Sequence, residues 1–383
     1  MSEFVDTHKR RIGILIDRWD PRRGGAERAL ATFAAWLEAR GHEILVFGVS
    51  GPTPGEFAPG LFVPVQTHGL TRSARERRLS RALTHAAREM KCDLTIGIRH
   101  LEQVDFYWPH GGAHAATLKA LGKRRTGRHK VFLDLERAAV ADGGARRVIC
   151  VSSMVRQEML DFYPTCANRL RVVPNGLDLE QFHIEARTAA REQMLENCGW
   201  AEGLPILTFV ARNPKLKGLP VLLKALSRLR KRPWRLVIAG PKHARRWRTR
   251  ARRMIGDESR IHVTEEMDPL VMAAGSDLLV LPSRRDTSGL VVMEALATGT
   301  PVLVTRSVGA ADLIQSPEQG EVCPARPKAS DLANRISGWL DRIELGDLPR
   351  KKIAAATSGG GLERWMTALE KELLELDGSK AVL

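Results

Sequence analysis

Arg212 and Lys217 lie five positions apart, and Gly218 follows at once. They come directly after the apolar run 205–210, which reads as a strand, and the stretch from about 218 to 231 reads as a helix. Two fixed cations at the carboxyl end of a strand, one of them opening a helix, suit a diphosphate. A single cation in a loop is ordinarily solvated, so it is the order strand, arginine, four residues, lysine, glycine, helix that gives the pair meaning. A second set lies between 281 and 296. Pro282 closes a strand, and Ser288 and Gly289 open a helix whose amide end attracts anions. Asp286 and Glu294 stand eight positions apart, one in the loop and one in the first turns of that helix. This spacing lets one carboxylate reach a sugar while the other holds ribose hydroxyls, although two acids at such a distance also arise by chance. Gly24 and Gly25, between the first strand and first helix, let backbone N–H groups approach a phosphate or sugar, and a tight turn explains them equally well. The fingerprint G-x-G-x-x-G is missing there, which argues against a dinucleotide-dependent dehydrogenase.

The elements that must position these residues follow a repeating grammar. Short apolar runs at 11–16, 43–49, 93–98 and 147–151 alternate with amphipathic stretches such as 26–40, as expected for a parallel sheet buried on both faces. After Pro174-Asn175-Gly176 and a polar stretch the pattern restarts, with strands at 205–210, 235–239, 260–263, 277–281 and 301–304. The chain therefore divides into two α/β domains, residues 1–180 and 181–383, each a Rossmann-like doubly wound parallel sheet. Two such sheets facing each other place their carboxyl-end crevices on one central cleft, where ligands of these sheets bind. The tail 360–376 is an amphipathic helix assigned with the second domain.

With 383 residues, 43% hydrophobic and 27% charged, the composition is that of a globular protein. No apolar run reaches the roughly 20 residues a spanning helix needs. The N-terminal MSEFVDTHKRR has no apolar core of a secretory signal. Five scattered cysteines without a C-x-x-C pair fit neither a disulfide framework nor a zinc knuckle, and a reducing cytosol suits them. The net charge is +16, and the excess is concentrated: residues 201–253 hold sixteen Lys and Arg against the single acid Glu202, and residues 51–150 hold seventeen against nine acids. Such clusters point to a polyanionic partner, either nucleic acid, an acidic membrane or a phosphate-bearing small molecule.

Taken together, Gly24-Gly25-Ala26-Glu27, Val173-Pro174-Asn175-Gly176-Leu177-Asp178, Arg212-x4-Lys217-Gly218 and Asp286-x7-Glu294-Ala295-x3-Gly299-x-Pro301-Val302 resemble the GT4-type retaining glycosyltransferase family. The resemblance runs in order over about residues 10 to 310 and implies the GT-B fold. Within the family the nearest likeness is to bacterial lipopolysaccharide core glucosyltransferases, carried by Phe132-Leu133-Asp134-Leu135-Glu136-Arg137 and by Thr287-Ser288-Gly289 where many members have Pro-Phe-Gly. One departure is Asp286, where the family usually has Glu, so a shorter side chain must reach the donor sugar.

The resemblance implies roles residue by residue. Arg212 and Lys217 would neutralise the donor diphosphate, and the backbone amides of Ser288, Gly289 and Leu290 would bind the distal phosphate and sugar. Glu294 would take the ribose hydroxyls, Asp286 the transferred hexose, and Gly24 and Gly25 would face the phosphates. The segment Thr264 to Glu266 would meet the base, expected to be uracil. His110, in Trp108-Pro109-His110-Gly111-Gly112, would lie over the donor sugar or acceptor hydroxyl. The set Arg212, Lys217, Asp286 and His110 is thus the expected catalytic group, and no cofactor beyond the nucleotide-sugar substrate is expected.

Charge layout supplies the mechanism: fixed cations and a helix amide end stabilise negative charge that develops on the leaving diphosphate in the transition state. With Arg and Lys at the phosphate and no D-x-D-like ligand set, no metal is expected. Arg124, Arg125, Arg128 and Lys130, in the domain that would hold the acceptor, suit a phosphorylated glycolipid or the anionic inner face of the cytoplasmic membrane, and imply peripheral association. The expected activity is transfer of a hexose from a UDP-sugar to a lipopolysaccharide-core or other lipid-linked acceptor. A nucleotide-sugar epimerase or phosphorylase on the same fold is the alternative. A nucleic-acid-binding protein is disfavoured, because the basic clusters lack interleaved aromatics and any reader motif.

Overall fold

A computed structural model of the chain describes residues 9–21, 24–52, 58–69 and 71–376. Arg22 and Arg23 of the loop before Gly24, and most of the N-terminal stretch read for a signal, lie outside the described residues. The chain separates into two units, one comprising the residues up to Pro174 together with those from Trp365 on, the other Asn175–Arg364.

The first unit is built on seven parallel strands: β1 (Arg11–Leu15), β2 (Glu43–Gly48), β3 (Leu61–Pro64), β4 (Leu94–Gly97), β5 (Phe106–Tyr107), β6 (Arg147–Cys150) and β7 (Leu170–Val172). Their order across the sheet is β3-β2-β1-β4-β5-β6-β7. The interior strands are apolar on both faces, which is why they read as continuous runs: Ile12, Ile14, Leu15 and Ile44 to Phe47 are all buried. The C-terminal helix (Leu362–Leu374) buries Trp365, Met366, Leu369 and Leu373 on one stripe. Its residues from Trp365 on belong to this unit, where the sequence pattern had placed them with the second. Side chains far away in sequence hold it there. The Trp365 ring lies 6.1 Å from that of Trp108, Glu370 accepts Trp36 Nε1–H at 3.0 Å, and Glu372 pairs with Arg147 at 3.0 Å. Likewise, the division falls after Pro174 and not at 180.

The second unit has six parallel strands: β8 (Ile206–Val210), β9 (Arg235–Ala239), β10 (Ile261–Thr264), β11 (Leu278–Leu281), β12 (Val302–Thr305) and β13 (Gly320–Cys323), in the order β10-β9-β8-β11-β12-β13. Alternate residues of β9 enter two separate apolar cores, Leu236 and Ile238 on one face and Val237 and Ala239 on the other. The chain leaves β8 for β9 on one side and returns to β11 on the other. The loops after β8 and β11 therefore diverge from neighbouring strand ends, which is the crevice that binds ligands in open α/β sheets.

Candidate active site

The site is assembled from those two loops. The first, after β8, carries Arg212 and Lys217 and ends at Gly218, the residue before the helix Leu219–Leu226. Gly218 has φ +89°, and a Cβ there would stand 1.9 Å from the Pro282 carbonyl oxygen. Only glycine brings the two loops this close. Asn213 shapes the turn: its carbonyl accepts the Lys217 amide at 3.0 Å. The second loop is fastened across the first, with the Arg284 amide donating to the Leu216 carbonyl at 2.8 Å. On its other side the Asp286 amide donates to Ser307 O and its carbonyl accepts from Gly309 N, both at 2.8 Å. Asp286 is thus held by its backbone on both sides before its side chain does anything.

That side chain then joins two other expected site residues. Its Oδ2 lies 2.6 Å from Lys217 Nζ, and its Oδ1 accepts the Gly289 amide at 3.2 Å. Both charged groups are largely withdrawn from solvent, 21% and 15% exposed, so this pair is screened less than one on the open surface. Lys217 Nζ also reaches the carbonyl of Arg285 at 3.4 Å. Gly289 is in the left-handed region at φ +78° and caps the helix Leu290–Ala297, and a side chain there would collide with Val308. Of the three amides expected to meet a phosphate, that of Gly289 is committed to Asp286. Ser288 Oγ accepts from Asn175 Nδ2 at 3.0 Å, which ties the Val-Pro-Asn-Gly motif to the same crevice. Glu294 stands half-buried on the helix between the buried Met293 and Ala295. Arg212 is exposed at the start of the first loop.

The remaining expected residues lie elsewhere. Glu266 is exposed beyond β10, where Thr264 Oγ1 donates to its carbonyl at 2.7 Å and so closes the turn expected to meet a base. Gly24, Gly25 and His110 are in the first unit. Gly24 is extended, at φ −174°, and its missing side chain leaves room for the Glu27 carboxylate, which would come within 2.9 Å of a Cβ. His110 follows β5, with its ring 4.3 Å from that of Trp108. The residue is partly exposed, but its Nε2 is shut off from solvent, and burial pushes the imidazole pKa down to about 3. It is a neutral ring at ordinary pH.

Two features escaped the sequence pattern. Arg285 is only 8% exposed and sits between the exposed Arg284 and Asp286, and nothing in a run of two arginines distinguishes the buried one. Glu136 is fully buried; it accepts the His114 amide at 2.9 Å and the Tyr163 hydroxyl at 2.7 Å. His100 approaches it at 3.6 Å and stacks on Phe132, while His114 contacts His129 at 3.1 Å. The basic residues Arg124, Arg125, Arg128 and Lys130 are all exposed, with the Arg128 guanidinium 5.1 Å over the Phe132 ring.

Family models now place the two units. The model described as Glycosyltransferase Family 4 matches residues 23–181, and that described as Glycosyl transferases group 1 matches residues 204–342. Both models describe glycosyltransferases and together they span most of the chain, so the chain is a glycosyltransferase. Among the relatives of this glycosyltransferase is the lipopolysaccharide glucosyltransferase WaaG of Escherichia coli K12, 25% identical over 322 residues, which cover 82% of this chain and 85% of that one. The crystal structure of WaaG, a glycosyltransferase involved in lipopolysaccharide biosynthesis, superimposes with a TM-score of 0.81 at 20% identity, covering 94% of this chain and 99% of the other. Anabaena Alr3699/HepE in complex with UDP-glucose superimposes with a TM-score of 0.69 at 18% identity, covering 96% and 99%. These likenesses establish the GT-B fold, with its two Rossmann-like parallel sheets.

Proposed function

We propose that this glycosyltransferase moves a hexose from a UDP-sugar to a lipopolysaccharide-core or other lipid-linked glycan acceptor, with retention of configuration and without a required metal ion. One observation carries the reading: Lys217, Asp286 and the amide end of the helix Leu290–Ala297 converge at the switch point of the second sheet. A diphosphate is the ligand that such a point cation and helix end recognise together. The UDP-glucose complex of the Anabaena neighbour and the kinship to WaaG support the choice of donor and acceptor.

In this reading Lys217 and Arg212 hold the diphosphate, and the Ser288 and Leu290 amides receive its distal oxygens. Asp286 is turned toward the hexose and Glu294 toward the ribose. The bond between the anomeric carbon and the phosphate oxygen breaks, and the acceptor oxygen bonds that carbon on the same face. The acceptor's hydroxyl proton passes to the leaving phosphate oxygen. The charge released on that phosphate is met by fixed cations that need no reorganisation, so the lysine and arginine take the role a divalent ion would have. His110, neutral, offers a hydrogen bond to a sugar hydroxyl.

Acceptor and membrane enter through the first unit. No helix of the described residues is long and apolar enough to cross a membrane. The helix Arg128–Val140 has no acid in its first turn, and Arg128 and Lys130 add positive charge to an end already positive by its dipole. With Arg124 and Arg125 this makes a surface suited to anionic headgroups, worth about 1 kcal/mol per cation, which supports the reading of peripheral association with the inner face of the cytoplasmic membrane. Reversing the four charges should abolish salt-sensitive binding to anionic liposomes. The donor is tested by UDP-sugar hydrolysis and transfer with wild type and Lys217→Ala; unchanged turnover in the variant would end the assignment.

A further inference from the structure

Behind the two donor loops lies a cavity of about 400 Å³ with four cations in its lining, Lys215, Arg250, Arg284 and Arg326, and no acid. It includes none of Arg212, Lys217, Asp286, Ser288, Gly289 or Glu294. No carboxylate among the described residues pairs with any of the four cations. Two other cavities with arginines in their lining differ in this respect. Glu89 and Glu102 face Arg81 and Arg88 in one, and Glu321 and Asp331 face Arg335 and Arg342 in another.

The four cations come from four separate elements. Lys215 lies in the loop after β8, Arg284 in the loop after β11, Arg326 just beyond β13, and Arg250 on the helix Ala244–Ile255. That helix buries Ala244, Trp247, Ala251 and Ile255 and turns its arginines outward. A run of charge along one helix is a solvated face, whereas these four cations, all exposed, come from four separate elements to line one concavity and give it a positive potential that attracts an anion. The wall between them is apolar, formed by Pro220, Val221, Pro282 and Pro327.

We propose that this cavity is a second anion site, which takes a carbohydrate carrying more than one phosphate group, either free in solution or as the headgroup of a lipid. Several cations spaced around an aliphatic floor suit separate phosphates on a sugar-sized body, with the ring on the floor. The site does not depend on the identity of the donor. It is mechanically joined to the donor loops, because Gly218 and Pro282 line it and the Arg284 amide holds the Leu216 carbonyl. Lys215 faces this cavity while Lys217, two residues on, pairs with Asp286. A ligand here therefore stiffens the loop that presents Lys217.

The experiment uses the full chain and fructose 1,6-bisphosphate as the soluble probe. Thermal shift and calorimetry are run on wild type and on the Arg250→Gln/Arg326→Gln double variant, each with and without saturating UDP. The probe should bind wild type in the presence of UDP, and the double variant should bind it at least about tenfold more weakly while its UDP affinity stays unchanged. A parallel arm measures binding to phosphatidic acid vesicles against phosphatidylcholine vesicles. If the double variant also loses the vesicles, the ligand is a lipid headgroup; if it loses the soluble probe alone, the ligand is free. Absence of probe binding, competition between probe and UDP, or an unaltered double variant in both arms overturns the proposal. Probe binding to a chain that fails to bind UDP would leave this site standing and remove the proposed donor.

Discussion

Lys217 Nζ stands 2.6 Å from one oxygen of Asp286, while the other oxygen accepts the amide of Gly289 at the head of a helix. The aspartate thus occupies, with its own negative charge, the two partners that a diphosphate needs. Under the proposed function, a donor entering the crevice would compete with Asp286 for Lys217, and the displaced carboxylate would become available to the sugar. Asp286→Asn keeps the acceptor for Gly289 and removes the competing charge. UDP should then bind about three- to tenfold more tightly, in keeping with the ~1 kcal/mol scale of a partly exposed ion pair. Sugar transfer should nevertheless fall by about a hundredfold or more. Calorimetry with UDP beside steady-state transfer kinetics separates the two effects; weaker UDP binding in the variant contradicts the competition.

Gly218 fixes how near the two donor loops come. With φ +89° and the Pro282 carbonyl 1.9 Å from any added Cβ, Gly218→Ala combines backbone strain with a collision that has no flexible partner to yield. Denaturant unfolding should show a loss of about 3 kcal/mol or more. A stability within about 0.5 kcal/mol of wild type would mean that the loops separate freely.

Much of this was readable in the amino-acid sequence, for a physical reason. Strands covered on both faces need near-continuous apolar runs, so β1, β2, β8, β9, β11 and β12 stand out within a residue or two of their ends. The two-residue β5 and the three-residue β7 are too short to show a period, and β3 has no fully buried residue. The helix after Gly218 stops at Leu226 although the apolar spacing carries on toward 231. Arg212, Lys217, Asp286 and Glu294 are candidates by their order along the chain, but the Lys217–Asp286 pair has no such signal, because order does not say which side chain turns to which. Ion pairs such as Arg147–Glu372 span more than two hundred residues, so the place of the C-terminal helix has no local signature.

Tyr163 donates to the buried Glu136 at 2.7 Å. Burial, together with that carboxylate, holds the phenol well above its ordinary pKa, so it remains a donor. Tyr163→Phe leaves a fully buried carboxylate short of one partner. The expected cost is about 1.5–3 kcal/mol in urea unfolding, with UDP affinity unchanged because neither Tyr163 nor Glu136 is among the residues read for the donor. A neutral substitution would mean that the His114 amide satisfies Glu136 by itself.

His110 sets a pH dependence of known sign. Its folded pKa of about 3 lies below the ordinary 6.5, so the unfolded chain binds the proton more readily. The stability it contributes is fully present above about pH 6.5 and is lost progressively as pH falls toward 3, by at most about 1.4 kcal/mol per pH unit. Unfolding free energies from pH 4 to 7 should fall less steeply toward acid in His110→Gln than in wild type. Identical slopes would show that the ring takes up its proton in the folded chain.

UDP affinity, measured by calorimetry on wild type and Lys217→Ala with helix content followed by circular dichroism, bears most directly on the phosphate site. The expected result is a folded variant that binds UDP about thirty- to a hundredfold more weakly, a loss of ~2–3 kcal/mol for one charge-assisted contact in a partly buried crevice. A folded Lys217→Ala protein with wild-type affinity for UDP would contradict it.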